Sequence, residues 1–350
     1  VQTHWEKGKQ FQAAHLPGEA QTEFMAALQA DPEFAPVYRS LAELSMEQKD
    51  IPNALRGWKE YLRRDPKAEH ARCRLAQLEL SVGLEVPALK DAEEELRAAP
   101  DCARAHLIAG LLTARKGNGG EATRHLKIAA AAYPDQANVQ MAYARVLAQT
   151  EQDTEAVPIL NAIVTKDKTH AEPYYWLGVI AARRSDPKAA EEHLQRAVAI
   201  APDYAEAHHQ LAKLFQSTGR HVPGIDAARK AVRAKKHFPA AWFTLAQLAS
   251  ATGRGPEAQA AQAMFRKESD LATRLKSLLK SYAADPKNAA LEAQIGFLQL
   301  DLDEPATAAY FLQSAQSHQP DPKTEAALKK AQALLAARQP LAPPDDLAGR

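Results

Sequence analysis

The sequence predicts an all-α solenoid built from short helix-turn-helix repeats, and three observations carry that reading. First, Pro32, Pro66, Pro100, Pro134 and Pro202 are separated by 34 residues or a multiple of it. Second, two columns at that period hold nothing but glycine and alanine. One reads Gly8, Ala42, Ala76, Gly110, Ala144, Gly178, Ala212 and Ala246; the other reads Ala20, Ala54, Ala88, Ala122, Ala156, Ala190, Gly224 and Ala258. Third, residues 171–204 read as two amphipathic helices, broken at Ser185-Asp186-Pro187 and ended by Pro202. Tyr174, Leu177, Gly178 and Ala181 share one helical face, as do Ala190, Leu194, Ala197 and Val198. Such a pair cannot bury its apolar faces alone, so copies must stack.

From Val1 the units begin at Ala35, Glu69, Ala103, Ala137, Ala171, Ala205 and Pro239, which makes residues 1–272 eight tandem repeats. Pro36, Pro173 and Pro239 open first helices, whereas Pro17, Pro52, Pro87, Pro187, Pro223, Pro256 and Pro305 fall at or near the start of second helices. Proline is tolerated there because a first-turn N–H has no intrahelical acceptor. Pro158 lies a few residues further in, which is compatible with a shifted helix start or a kink. In the first repeat Lys7 replaces the usual apolar residue, as suits an end unit. The third is the weakest interior copy, with Glu79 and Glu95 in columns that are elsewhere mostly apolar or small.

After the eighth repeat the period breaks. Residues 273–288 match only the second half of a unit, through Leu275, Leu278, Leu279, Tyr282 and Pro286. A cap at Ser269-Asp270 would make this a separate helix. The absence of Gly and Pro between Ala258 and Ala284 favours one helix running from Pro256 to about Ala284. A ninth unit occupies 289–322, with Ile295, Gly296, Ala308, Leu312 and Ala315 in register, and 323–338 reads as a capping helix. The Pro- and Asp-rich tail, 339–350, is expected to be disordered.

With this period and these columns, the chain resembles the tetratricopeptide repeat family over about nine tenths of its length. The resemblance implies a right-handed superhelix whose first helices line a concave groove. It implies an architecture and no single function.

Composition narrows the classes. A formal charge of +1 lacks the basic excess of a nucleic-acid binder. No apolar run approaches the roughly 18 to 20 residues of a membrane span, and no signal segment opens the chain. Val1 already sits at the start of a repeat, which suits a chain that begins inside a longer protein. The two cysteines, Cys73 and Cys102, have no metal or redox spacing and read as unpaired thiols, compatible with cytoplasm or periplasm. High Ala and Pro content is compatible with a bacterial origin.

One stripe of each first helix is left over after packing on its own second helix. In the sixth repeat it holds Tyr175, Trp176, Val179 and Arg183; in the seventh, His209 and Lys213. In the fourth it holds Arg104, Leu107, Ile108, Leu111 and Arg115; in the fifth, Met141 and Arg145. An apolar, aromatic centre ringed by cations is the composition of a binding surface. The expected ligand is a peptide segment, extended or helical, with apolar anchors and some negative charge. Burial of these side chains by neighbouring repeats would argue against it.

Two known uses of the resembled family find no match. The column for a carboxylate-clamp Asn reads Lys9, Glu43, Gln77, Leu111, Arg145, and the column for an Asn ladder reads Glu6, Ser40, Arg74, Ile108, Ala142, Trp176. His4, His106 and His208 recur in one column beside Tyr38, Tyr174 and Trp242, which reads as packing. No phosphate loop, HExxH or GxSxG motif is present, and no metal ligand set or cofactor is expected. The sequence thus predicts a non-enzymatic protein-interaction scaffold with an unidentified protein or peptide partner. It could also self-associate through its end repeats. The alternative is the targeting arm of a larger enzyme or cell-envelope assembly, of glycosyltransferase or polysaccharide-export type.

Overall fold

The computed structural model describes residues 1–337, and among them every regular element is an α-helix. The tail, 339–350, lies outside the described residues, as does Arg338 of the expected capping helix. The chain divides into two compact units, Val1–Glu151 and Gln152–Arg350. The first holds α1 (Gln2–Ala13), α2 (Pro17–Ala30), α3 (Ala35–Glu47), α4 (Ile51–Arg64), α5 (Ala71–Ser81), α6 (Glu85–Ala98), α7 (Ala103–Arg115), α8 (Gly119–Ala132) and α9 (Ala137–Gln149). The second holds α10 (Asp153–Lys166), α11 (Ala171–Arg183), α12 (Pro187–Ile200), α13 (Ala205–Ser217), α14 (His221–Ala234), α15 (Pro239–Ala251), α16 (Gly255–Ala284), α17 (Ala289–Asp301), α18 (Pro305–His318) and α19 (Pro322–Ala337). In each unit the helices form antiparallel hairpins that stack on one another, the architecture of a repeat solenoid.

The hairpin turn is the same throughout. The fifteenth residue of each repeat is left-handed: His15, Lys49, Gly83, Gly117, Glu151, Ser185, Gly219, Gly253 and Asp303. The next N–H reaches back five residues, as from Asp186 to the Ala181 carbonyl at 3.0 Å and from Arg220 to that of Phe215 at 2.8 Å. This Schellman closure satisfies carbonyls at the end of the first helix. Asp186 then caps the second helix by accepting from the Ala189 N–H at 3.0 Å, with Pro187 in its first turn.

Small residues set the distance within a hairpin. A Cβ on Gly178 would lie 2.6 Å from Leu194 Cγ and 3.2 Å from the Leu194 backbone nitrogen, so α11 and α12 meet as closely as glycine allows. Gly296 stands in the same relation to Leu312, at 2.5 Å. Leu194 and Leu312 are fully buried by the contact.

A second device joins one repeat to the next. The fourth residue of a repeat reaches the carbonyl of the proline in the preceding turn: Tyr38 Oη to Pro32 at 2.8 Å, Arg72 to Pro66 at 2.6 Å, His106 Nε2 to Pro100 at 2.9 Å, and His208 Nε2 to Pro202 at 2.8 Å. His106 and His208 are thus structural donors. With its Nε2–H so used, the His106 Nδ1 accepts from the His125 Nδ1–H at 2.8 Å, a tautomer assignment that follows from the carbonyl partner.

Three local features differ from a regular array. Pro158 lies inside α10, whose start at Asp153 is unshifted; the residue faces solvent, as does Thr154 four residues earlier. Helix α5 begins at Ala71, two residues later than the register places it, because His70 takes a left-handed φ of 58°. Helix α16 continues unbroken for 30 residues.

Candidate functional site

The first-helix stripes divide into buried and accessible parts. In the first unit Leu107, Ile108 and Met141 are core residues, Met141 being only 3% exposed, while Arg104, Leu111 and Arg145 are half-buried. In the second unit Tyr175 is 8% exposed, Trp176, Val179 and His209 are half-buried, and Lys213 is exposed. Leu107, Ile108, Met141 and Tyr175 were expected to line a groove, and the stacking of repeats covers them instead. The fifth position of a repeat packs on the thirty-fourth: Tyr175 lies 5.1 Å from Tyr204, Trp5 lies 5.7 Å from Phe34, and His209 lies 5.0 Å from Phe238, between ring centroids.

Two of the expected rim cations are also committed. Arg115 donates to Glu85 Oε1 at 2.5 Å, and Arg183 donates to both carboxylate oxygens of Asp153. Each arginine is the thirteenth residue of its repeat and each acid the seventeenth of the one before, so these are ties between repeats.

On the second unit accessible residues occur on α11, α13 and α15, which pack side by side. Tyr175 shares a side-chain hydrogen bond with Gln210, and burial pushes its phenol above its ordinary range. The Thr244 hydroxyl donates to the Ala240 carbonyl at 3.1 Å, leaving its lone pairs to accept from His209 Nε2–H at 3.0 Å. Burial, aided by the charge of Lys213, pushes the His209 imidazole down to about 4, so it is neutral near pH 7. Gln216 Nε2 donates to Gln247 Oε1 at 3.1 Å. The reading of the sequence missed Phe243, which is 46% exposed on α15 against Phe265. The signal was available, since Phe243 follows Tyr175 and His209 in one column.

A second concavity lies beside α16, a hollow of about 370 Å³ lined by His237, Glu268, Leu275, Leu279 and Leu302. The buried Glu268 accepts from His237 Nδ1 at 2.6 Å there.

In the first unit Cys73 and Cys102 are both free thiols, as expected, and their Sγ atoms lie 3.0 Å apart. They occupy the fifth and thirty-fourth positions of the third repeat, the two columns that pack as aromatic pairs elsewhere. Hydrogen bonding to Cys73 and to the Ala105 N–H holds the Cys102 thiol below its ordinary range, and the shared proton pushes Cys73 above it.

A tetratricopeptide repeat family model matches residues 114–171 and 168–205. That stretch of the chain carries tetratricopeptide repeats. A solved tetratricopeptide repeat protein from Parabacteroides merdae superposes with a TM-score of 0.50 at 16% identity, covering 71% of this chain and 97% of its own. YrrB, described as a TPR protein with an unusual peptide-binding site, gives 0.48 at 23% identity over 53% of this chain and 96% of its own. MamA gives 0.40 at 25% identity over 47% and 96%. No curated protein matches the chain. Repeats of this kind support a protein-interaction scaffold, and among the described residues no helix is long and apolar enough to cross a membrane.

Proposed function

We propose that the chain binds a peptide segment of a partner on the first-helix face of its second unit, formed by α11, α13 and α15. The observation that carries this reading is accessible aromatic surface on a preorganised support. Trp176 and Val179 are half-buried and Phe243 is 46% exposed. The helices beneath them are laced by the Tyr175–Gln210, His209–Thr244 and Gln216–Gln247 hydrogen bonds. Aromatic anchors on a rigid frame lose little conformational entropy when they bind.

Arg183 on α11 is tied to Asp153, and the exposed Lys213 on α13 offers a cation to an acid on this face. The fitting ligand therefore carries two apolar or aromatic anchors and one acidic group. Peptides selected from a displayed random library on the full-length chain test the reading. Calorimetry should give affinities weakened about tenfold or more by Trp176→Ala and by Phe243→Ala, and less by Lys213→Ala. Selected peptides that bind wild type and both aromatic variants equally would overturn it.

A further inference from the structure

The third repeat departs from its neighbours at four positions that meet in one place. Its fifth and thirty-fourth residues are Cys73 and Cys102, where the sixth repeat has the Tyr175–Tyr204 pair. Its twenty-seventh residue is Glu95, 4% exposed, in a column that is otherwise Ala27, Tyr61, Ala129, Ile163, Ala197, Ala231 and Phe265. Its second residue, His70, carries the one left-handed φ among the described residues outside the hairpin turns. A non-glycine residue held there costs about 1 kcal/mol, and it brings the imidazole to Glu95 and Cys102.

We propose that His70, Cys73, Glu95 and Cys102 bind one divalent transition-metal ion of borderline softness, zinc foremost. His70 Nδ1 lies 3.4 Å from Glu95 Oε1 and 4.0 Å from Cys102 Sγ, and the donor atoms of these three residues all lie within 4.8 Å of one another. Cys73 Sγ lies outside that group of three but 3.0 Å from Cys102 Sγ, and side-chain rotation would bring it in as the fourth donor. Tetrahedral zinc, with bonds of about 2.3 Å to sulfur and about 2.0–2.1 Å to nitrogen or oxygen, holds its sulfurs about 3.7 Å apart and a nitrogen and oxygen about 3.3 Å apart. Side-chain rotation covers the difference. Two thiolates, a carboxylate and a neutral imidazole match zinc's preference for N and S ligands over that of magnesium or calcium for oxygen. The guanidinium of Arg104, near Cys73, offsets the surplus negative charge.

Three considerations favour a cation over a plain structural contact. Replacing two aromatic rings by two thiols removes volume at a repeat boundary, and Glu95 enters the space as a buried carboxylate. Burying that charge is costly unless a cation meets it, and the facing His70 is exposed. The ligands also come from the N-terminal ends of α5 and α7 and from α6, so a bound ion would pin the third repeat to the fourth. Binding releases thiol protons to solvent as the ligands deprotonate.

Cobalt(II) titration of the untagged, reduced, full-length chain tests this directly. One equivalent should give a thiolate-to-cobalt charge-transfer band and the visible bands of tetrahedral cobalt, and zinc should displace them. Cys102→Ser and the exposed-site variant His70→Ala should each weaken zinc binding about tenfold or more, with unchanged helical circular dichroism. No charge-transfer band in the wild type, or a band that persists in Cys102→Ser, would overturn the proposal. So would loss of both free thiols as a Cys73–Cys102 disulfide in glutathione redox buffer containing saturating zinc.

Discussion

The third and sixth repeats are the same module with different interiors. Both keep the left-handed fifteenth residue, Gly83 in one and Ser185 in the other, and both share the period and the alanine at the twentieth position, Ala88 and Ala190. The sixth packs Gly178 on Leu194 and Tyr175 on Tyr204, with Ala197 beneath, and α11 runs its full 13 residues. The third has Ala76 and Ala92 in the first pair of columns, Cys73 and Cys102 in the second and Glu95 in place of the alanine, and α5 shortens to 11 residues. The turn and the small columns therefore fix the backbone, and side-chain volume can be redistributed within it. The sixth repeat is left with an apolar interior and varies outward; the third places charge and thiols inside.

The largest effect that would break this contrast is at Leu194. Leu194→Ala should destabilise the protein by about 2–5 kcal/mol, and Gly178→Ala by about 1–3 kcal/mol, because its Cβ meets Leu194 at 2.6 Å. The double variant recreates the Ala76/Ala92 pairing of the third repeat and should cost less than the sum, which a double-mutant cycle in urea measures.

Next comes Glu79 in the third repeat, buried with Lys59 Nζ at 3.3 Å. Burial, with the neighbouring Asp91 opposing Lys59, pushes its carboxyl up to about 7. A raised folded value means the protonated form is favoured by folding. The stabilisation it brings is complete below the ordinary carboxylate range and is lost as pH rises toward about 7. Glu79→Leu should raise stability at pH 8 by about 1–3 kcal/mol and flatten the pH dependence, because Lys59 is already exposed to water.

His209 in the second unit has the opposite sign. Its imidazole is held down to about 4, so the stability it contributes is present above its ordinary value of 6.5 and is lost as pH falls from there toward 4. After allowance for its partial exposure the effect is about 1–2 kcal/mol. His209→Gln should remove that acid-side slope, as followed by thermal melts between pH 7.5 and 4.5. Smallest are Arg115→Ala and Arg183→Ala, each expected to cost less than about 1 kcal/mol because exposed ion pairs contribute little. A larger loss at either would show that the ties between repeats carry more of the stacking than the apolar columns do.

The repeat architecture was legible because 34-residue columns of Gly and Ala record a backbone distance that every copy needs. Helix α16 was legible for a similar reason, since nothing between Ala258 and Ala284 interrupts it. The site was less so. Treating a stripe as free once it faced away from its own second helix ignored the neighbouring repeats, against which side chains such as Tyr175 are buried. Counting Arg115 and Arg183 as rim charges overlooked Glu85 and Asp153, 30 residues earlier. The cysteines looked unrelated because 29 residues is no metal or redox spacing on a single helix. It is, however, the separation of the two columns that touch between repeats.

The binding face of the second unit is tested most directly by hydrogen–deuterium exchange of the full-length chain, with and without a selected peptide at saturation. The expected result is slowed exchange in α11, α13 and α15, abolished by Phe243→Ala at the same peptide concentration. Protection confined to helices of the first unit, or protection of α11, α13 and α15 that survives Phe243→Ala and Trp176→Ala together, would contradict it.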